Sequence, residues 1–398
     1  MLSRCIVFLV VLGGPLLMGA RSRNLAPENK AGVPTFKTGA HLVVVDVVAT
    51  NGKGDPITGL KQEDFEVLED GKPQSIATFE EHSGTAISPI ELPPMPPNVF
   101  TNFPRTQSTE SINVLLLDSL NTPLPDQVYV HEQMLKQLKT IAPKTRVAVF
   151  TLASRLRMLQ GVTTDSAALL AAINGQKVGM KASPLLQSET EKQANQRRVD
   201  FLIENEVGSS NSDQSQVQEA VEAVNAEKMF MNDTQVFLAD ARVATTLQAL
   251  QQLSRYLLTI PGRKNVMWFS GSFPAGILPN PDLTDPFGGE KSFQEEIKKT
   301  TALLAAAQVA LYPIGAEGLA TDSTYQANGV EIGEKRGSAT VQDQIQNSRN
   351  ESFNRDSSHA VMEQLAKETG GQAFYNANGL GAAMQRAIDN SSHYYSLT

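Results

Sequence analysis

INVLLLDSLNTP, residues 112–123, is a short apolar run that closes on an aspartate and then loosens into polar residues and proline. Val114 to Leu117 are four large apolar residues in a row, with no polar face, so the strand they form is covered on both sides, as parallel sheets require. Asp118 ends the run, and Ser119, Asn121, Thr122 and Pro123 turn the chain away. An acid at the carboxyl end of a buried strand can hold a metal ion there. It can equally accept the N–H groups of the loop it starts, and the sequence leaves both readings open.

Downstream the same pattern repeats. TRVAVFTL (145–152), KNVMWFS (264–270), VALYPIG (309–315) and GQAFYN (371–376) read as further strands. Helical stretches near 127–140, 165–173, 241–258, 293–307, 359–368 and 379–390 separate them. Strands alternating with helices predict an α/β, doubly wound, mainly parallel sheet, with ligand sites at the carboxyl ends of its strands. Val243, Leu247, Leu250 and Leu257 recur at helical spacing and predict a helix packed on that sheet. Residues 174–240 are polar and helix-favouring and read as a helical insertion. Residues 318–358, rich in Gly, Ser and Asn, read as a long mobile loop.

Upstream, the valine-rich 41–50 reads as a strand, and two alternating runs flank Asp70-Gly71, a pair suited to a tight hairpin. These predict a small β-sandwich-like domain over 36–82. The prolines between 83 and 110 rule out helix and central strand there, which makes that segment a stiff linker to an α/β domain over 111–398.

With 398 residues, 41% apolar and 19% charged, the chain can bury a large core. Its net charge of −8 and lack of a basic cluster argue against nucleic acid as a partner. Residues 1–20 carry an early Arg, an apolar centre broken by Gly-Gly-Pro and small residues at the end, the pattern of a cleaved secretory signal. A secreted or periplasmic location is expected, with no membrane span after signal removal. The single cysteine, Cys5, lies inside this segment, so disulfides and thiolate chemistry are absent from the mature chain.

Several stretches resemble the von Willebrand factor type A-related domain family of acidobacterial secreted proteins. They are PGRKNVMWFSGSFP (261–274), ALYPIGAEGL (310–319), residues 365–395, and VVDVVATNGKGDPITGLKQEDFEVLEDGKPQSIATF near the N-terminus. Gly315 and Glu317 sit where relatives tend to have Asp and Arg. The chain stops at HYYSLT where relatives run on into a further β segment, which implies a truncated C-terminus.

The resemblance implies a binding module, and type A domains often hold Mg²⁺ at a metal-ion-dependent adhesion site: Asp-x-Ser-x-Ser after the first strand, a loop Thr, and an Asp after the fourth strand. Oxygen ligands of this kind suit Mg²⁺, which keeps waters and leaves a position for a partner's carboxylate. In this chain the pattern is degenerate. Asp118 and the hydroxyl of Thr122 match it, Leu120 replaces the middle serine, and Ser270 or Gly271 stands where the later Asp belongs. Thr163 or Thr164 is the candidate loop ligand, although the same stretch also reads as a helix N-cap, with Thr164 or Asp165 capping. Metal, if held, would rest on Asp118, Thr122 and Thr163.

Rival chemistries find less support. WFSGSFPAG places Ser270 after a strand, and Asp118 with His359 could complete a serine hydrolase triad, but Trp268 breaks the Gly-x-Ser-x-Gly elbow. No phosphate-binding glycine motif follows the first strand. The expectation is a non-enzymatic adhesion module that binds a protein or cell-surface ligand at a rim of Asp118, Asn121, Thr122, Thr163, Ser270 and Ser272. An architectural scaffold acting through the helical insertion is the alternative.

Overall fold

The computed structural model describes residues 43–52, 56–69, 71–82, 111–177, 180–204, 214–273, 293–317, 341–375 and 379–398. The expected signal segment 1–20 and linker 83–110 lie outside these. In chain order the strands are β1 (Val45–Val47), β2 (Val67–Glu69), β3 (Lys72–Gln74), β4 (Phe79–His82), β5 (Ile112–Asp118), β6 (Arg146–Leu152), β7 (Leu156–Thr163), β8 (Lys264–Ser270), β9 (Val309–Gly315) and β10 (Tyr394–Leu397). The helices are α1 (Leu124–Leu138), α2 (Ser166–Lys177), α3 (Glu189–Leu202), α4 (Gln214–Leu258), α5 (Gln294–Ala306), α6 (Val341–Glu368) and α7 (Leu380–Ser392).

The main sheet has the order β7-β6-β5-β8-β9, which is 3-2-1-4-5 counted along the chain, as in doubly wound folds. β5, β6, β8 and β9 are parallel, and β7 closes one edge antiparallel to β6. Side chains alternate across it. Ile112, Val114 and Leu116 of β5 enter one core layer with Val243, Leu247, Leu250 and Leu257 of α4, Leu304 of α5 and Leu365 of α6. Leu115 and Leu117 enter the other, with Met134 of α1, Ile173 of α2 and Met384 of α7. That double burial is why the run is apolar on every residue.

GQAFYN contributes only an isolated parallel bridge, Ile314 to Phe374, beside β9. Gly371 makes the approach possible: a Cβ there would lie 1.9 Å from the Leu311 carbonyl oxygen.

Two further parts depart from the sequence reading. The N-terminal strands do not close on themselves: their three-stranded sheet has the order β1-β10-β4, with the C-terminal strand in the centre, antiparallel to both neighbours. The ring of Tyr395 packs on Phe65 and Phe79, with centroids 5.1 and 5.6 Å away, so 36–82 is not a self-contained sandwich. The expected hairpin is present as β2 and β3, with Gly71 at φ 76° between them, while Asp70 lies outside the described residues. Residues 341–358, expected within a loop, form the first part of α6, while 318–340 lie outside the described residues.

The 174–240 segment carries α3 and the first part of α4. α3 opens with a reciprocal cap: Glu191 N–H donates to Ser188 Oγ (3.2 Å) and Ser188 N–H to Glu191 Oε2 (2.7 Å). α4 runs unbroken for 45 residues, about 67 Å. Its last turns pack on the sheet and its first turns meet α3, where Val199 and Val224 are buried and Arg198 pairs with Glu227 at 3.1 Å.

Candidate functional site

Asp118 ends β5 at the switch point of the sheet, between β6 and β8, where doubly wound folds bind ligands. Its carboxylate is buried and accepts five hydrogen bonds. The backbone N–H groups of Leu120 and Asn121 donate to Oδ1, each at 3.0 Å. Asn121 Nδ2 (2.9 Å), Trp268 Nε1 (3.0 Å) and Ser270 Oγ (2.8 Å) donate to Oδ2. The β5–α1 loop is thereby wound tightly around its own first residue.

The network continues on both sides. Asn121 Nδ2 also donates to Thr246 Oγ1 on α4 (2.8 Å), and Thr246 Oγ1 donates to the Arg242 carbonyl one turn earlier (2.8 Å). Gly271 N–H donates to Thr122 Oγ1 (2.9 Å), tying the end of β8 to the loop. A Cβ at Gly271 would lie 2.9 Å from the Asn121 carbonyl oxygen and 3.2 Å from Thr122 Cα, so only glycine lets the two segments approach this closely. Gln127 Nε2 donates to the Thr122 carbonyl (2.8 Å) from the first turns of α1. Its Oε1 is buried without a partner, and the residue lines a cavity of about 20 Å³ with Asp118, Ser119, Thr122 and His131, room for one water molecule.

Burial pushes the Asp118 pKa up, while its hydrogen bonds to Asn121, Ser270 and Trp268 push it down. A proton on Oδ2 has one acceptor within reach, Ser270 Oγ, which can in turn donate to the Ser272 carbonyl at 3.0 Å. Burial lowers the Arg242 pKa, and the Asp118 charge opposes that shift. Arg242 Nε and Nη1 are buried without hydrogen-bond partners.

The structure therefore brings Asp118, Asn121, Thr122 and Ser270 together, with Ser272 next to them. All but Ser272 are buried, so they form the inside of the carboxyl edge, and only Ser272 is partly open to solvent. Thr163 is elsewhere. It pairs with Val147 at the start of β6, whereas Leu152 at the end of β6 pairs with Asp118, which puts Thr163 at the opposite edge of the sheet. It shapes a helix start instead: Asp165 N–H donates to Thr163 Oγ1 (3.1 Å), and Ala167 N–H to Asp165 Oδ1 (2.8 Å). As a metal ligand or rim residue beside Asp118, Thr163 is corrected by this register.

The remaining residues do not fit Mg²⁺. Both Asp118 oxygens already accept N–H and O–H donors, and the Thr122 hydroxyl accepts the Gly271 N–H. Divalent cations of this kind need several oxygens facing one open point. Among the described residues, no three His, Cys, Asp or Glu side chains converge as a metal ligand set. A Ser-His-Asp relay is not assembled either. Ser270 donates to Asp118 directly, and the His359 ring stacks on Tyr375 at 3.9 Å.

Sequence reading missed three side chains of the network, Trp268, Thr246 and Gln127. The indole of Trp268 lies in the core, and a buried indole N–H needs an acceptor, a requirement that points to a nearby buried acid.

Fold and site together define a doubly wound α/β domain in which the aspartate that ends β5 is turned inward. No protein-family model matches the chain, and no curated protein does. Among solved structures it is similar to the PilB minor pilin from Streptococcus sanguinis (TM-score 0.33, 9% identity, covering 72% of this chain and 61% of that one). It is also similar to an aerotolerance-related membrane protein from Bacteroides fragilis (TM-score 0.30, 9% identity, 70% and 98%). A von Willebrand factor type A protein from Catenulispora acidiphila gives a TM-score of 0.20 at 9% identity, over 74% and 50%. The fold stands on the chain's own strand order. Among the described residues no helix is long and apolar enough to cross a membrane.

Proposed function

We propose that the chain is a non-catalytic interaction module, exported from the cell like the acidobacterial secreted family it resembles. A protein or cell-surface ligand docks on the carboxyl edge of the sheet, over the β5–α1 loop, without a metal ion. The supporting observation is the division of labour within that loop. Its inner side is held by Asp118, while its outer side presents Leu124 and Val128, 40% and 38% exposed and one helical turn apart at the start of α1. Exposed apolar residues on a rigid frame are what a partner buries.

Two acids belong to the same edge. Burial raises the pKa of Asp126 on α1. Burial also raises that of Glu317 after β9, with a further rise from the nearby Asp126 charge against the pull of Arg355 and Lys192. An apolar lip beside two carboxylates suits a partner that offers an apolar side chain next to Lys or Arg. Asp118, Asn121, Thr122 and Ser270 are then positioning residues, and Ser272 lies beside the lip.

The test is capture on the immobilised full chain from the secreted and envelope fractions of the source cells, beside the variant Leu124→Glu with Val128→Glu. Wild type should retain proteins that the variant loses, with no change on adding EDTA. Equal retention by both chains would remove the carboxyl edge as the docking surface.

A further inference from the structure

The outward face of α4 has a pattern that the carboxyl-edge reading does not use. Phe230 and Phe237 are 66% and 68% exposed, the most exposed phenylalanines among the described residues of the chain. Single exposed apolar residues are ordinary, but these two lie seven residues apart on one stripe of a long helix. Ala244, a further seven residues on, is exposed on the same stripe.

The stripe is self-complementary about Phe237. Glu219 and Arg255 lie eighteen residues before and after it, five whole turns each way, so both share its direction from the helix axis, and both are exposed. When a second α4 is laid antiparallel with the two Phe237 rings at the crossing, each Phe230 meets the exposed Ala244 of the other copy. In the same register each Glu219 meets the other copy's Arg255. Large faces small and negative faces positive, twice over, along about 54 Å of helix. A seven-residue repeat drifts slowly around a straight helix, which suits the shallow crossing of a left-handed pair. A twofold interface requires one patch to complement itself in this way.

We infer that the chain self-associates as an antiparallel dimer through the outer face of α4, with Phe237 on the twofold axis, Phe230 packed against Ala244 of the second copy, and Glu219 paired with Arg255 of the second copy. The occupant of this face is therefore another molecule of the same chain. The inference does not depend on docking at the carboxyl edge, since none of these residues belongs to the β5–α1 loop or its partners.

The experiment is sedimentation equilibrium of the full chain, with circular dichroism confirming that each variant is folded. Wild type should sediment at twice the chain mass, and Phe237→Glu should weaken association at least about thirtyfold, as loss of a central aromatic anchor does. Arg255→Glu should weaken it as well, and Arg255→Glu with Glu219→Arg should restore it, because the swap keeps opposite charges facing. In a Cys5→Ser background, Phe237→Cys should form a disulfide-linked dimer on mild oxidation. A monomeric wild type, a dimer indifferent to Phe237→Glu, or a charge swap that fails to restore association would each overturn the proposal. So would a monomer that binds phosphatidylcholine vesicles through Phe230 and Phe237, which would assign the face to lipid.

Discussion

Replacing Asp118 with alanine should destabilise the chain by about 2–4 kcal/mol, with no ligand or cation present. Five donors lose their acceptor, but three have a second one. Leu120 N–H also reaches the Leu152 carbonyl at 3.1 Å, Asn121 Nδ2 reaches Thr246, and Ser270 Oγ reaches the Ser272 carbonyl. Two are stranded, the Asn121 N–H and the Trp268 indole N–H, at roughly 1–3 kcal/mol each when buried without a partner. Removing a buried carboxylate also relieves its desolvation cost, and this offsets part of the loss. Urea unfolding followed by fluorescence of Trp268, the only tryptophan, with circular dichroism as a second probe, measures the difference. A loss below about 1 kcal/mol would refute the view that Asp118 holds the loop. So would a wild-type midpoint that climbs with millimolar Mg²⁺, since a cation that binds only the folded chain raises its stability.

Further outcomes follow from other parts of the molecule. Isothermal titration of the full chain with Mg²⁺ or Mn²⁺ should give no saturable heat, and a saturable signal abolished by Asp118→Ala would reinstate the metal site. Asp118 has a folded-state pKa raised above its unfolded value, so the wild type's stability relative to Asp118→Asn should be greatest below about pH 4 and fall as pH rises through the folded value. Lys264 is buried at the start of β8, where Nζ donates to the Ile260 carbonyl (2.8 Å), and burial pushes its pKa down to about 8. Relative to Lys264→Met, wild type should therefore gain stability as pH rises from about 8 to about 10.5, read from denaturation midpoints. Tyr395→Ala removes a ring buried among aromatics and should cost about 3–5 kcal/mol locally, seen as protease cleavage within 43–82 before the main domain is cut.

Four strands of the main sheet were legible because they are buried on both faces, so VLLL within β5 and VMWF within β8 stand out as unbroken apolar runs, whereas the edge strand β7 is only partly buried and was not read as a strand. Asp118 was legible as the end of the first strand, but its chemistry was not. That chemistry depends on which donors converge on the carboxylate, and Trp268 and Ser270 arrive from β8, about 150 residues away. Thr163 misled because its distance along the chain from β6 suits a loop at the carboxyl edge. β7 instead runs back antiparallel and carries Thr163 to the amino edge. The first part of α6 was hidden by composition: Gln, Asn, Ser and Arg lack an apolar stripe, so its helix leaves no periodic signal. The tyrosines of β10 favour a strand, while its pairing with β1 and β4 is a contact across more than 300 residues that no local pattern encodes.

That closing strand ties the order of synthesis to the order of folding. β1 and β4 emerge early, yet each lacks its hydrogen-bonding neighbour until Tyr394–Leu397 has been made, after every other described element. Throughout that interval two strand edges stay open, and the aromatic cluster around Phe65 and Phe79 lacks its third ring. Open edges recruit other strands, so this is when the growing chain is most exposed to mispairing and proteases. The long-range contact also makes this sheet a late, slow step compared with the helices. Once β10 is seated, the N-terminal strands are sealed onto it, and a chain interrupted anywhere upstream of Tyr394 keeps them loose and open to degradation.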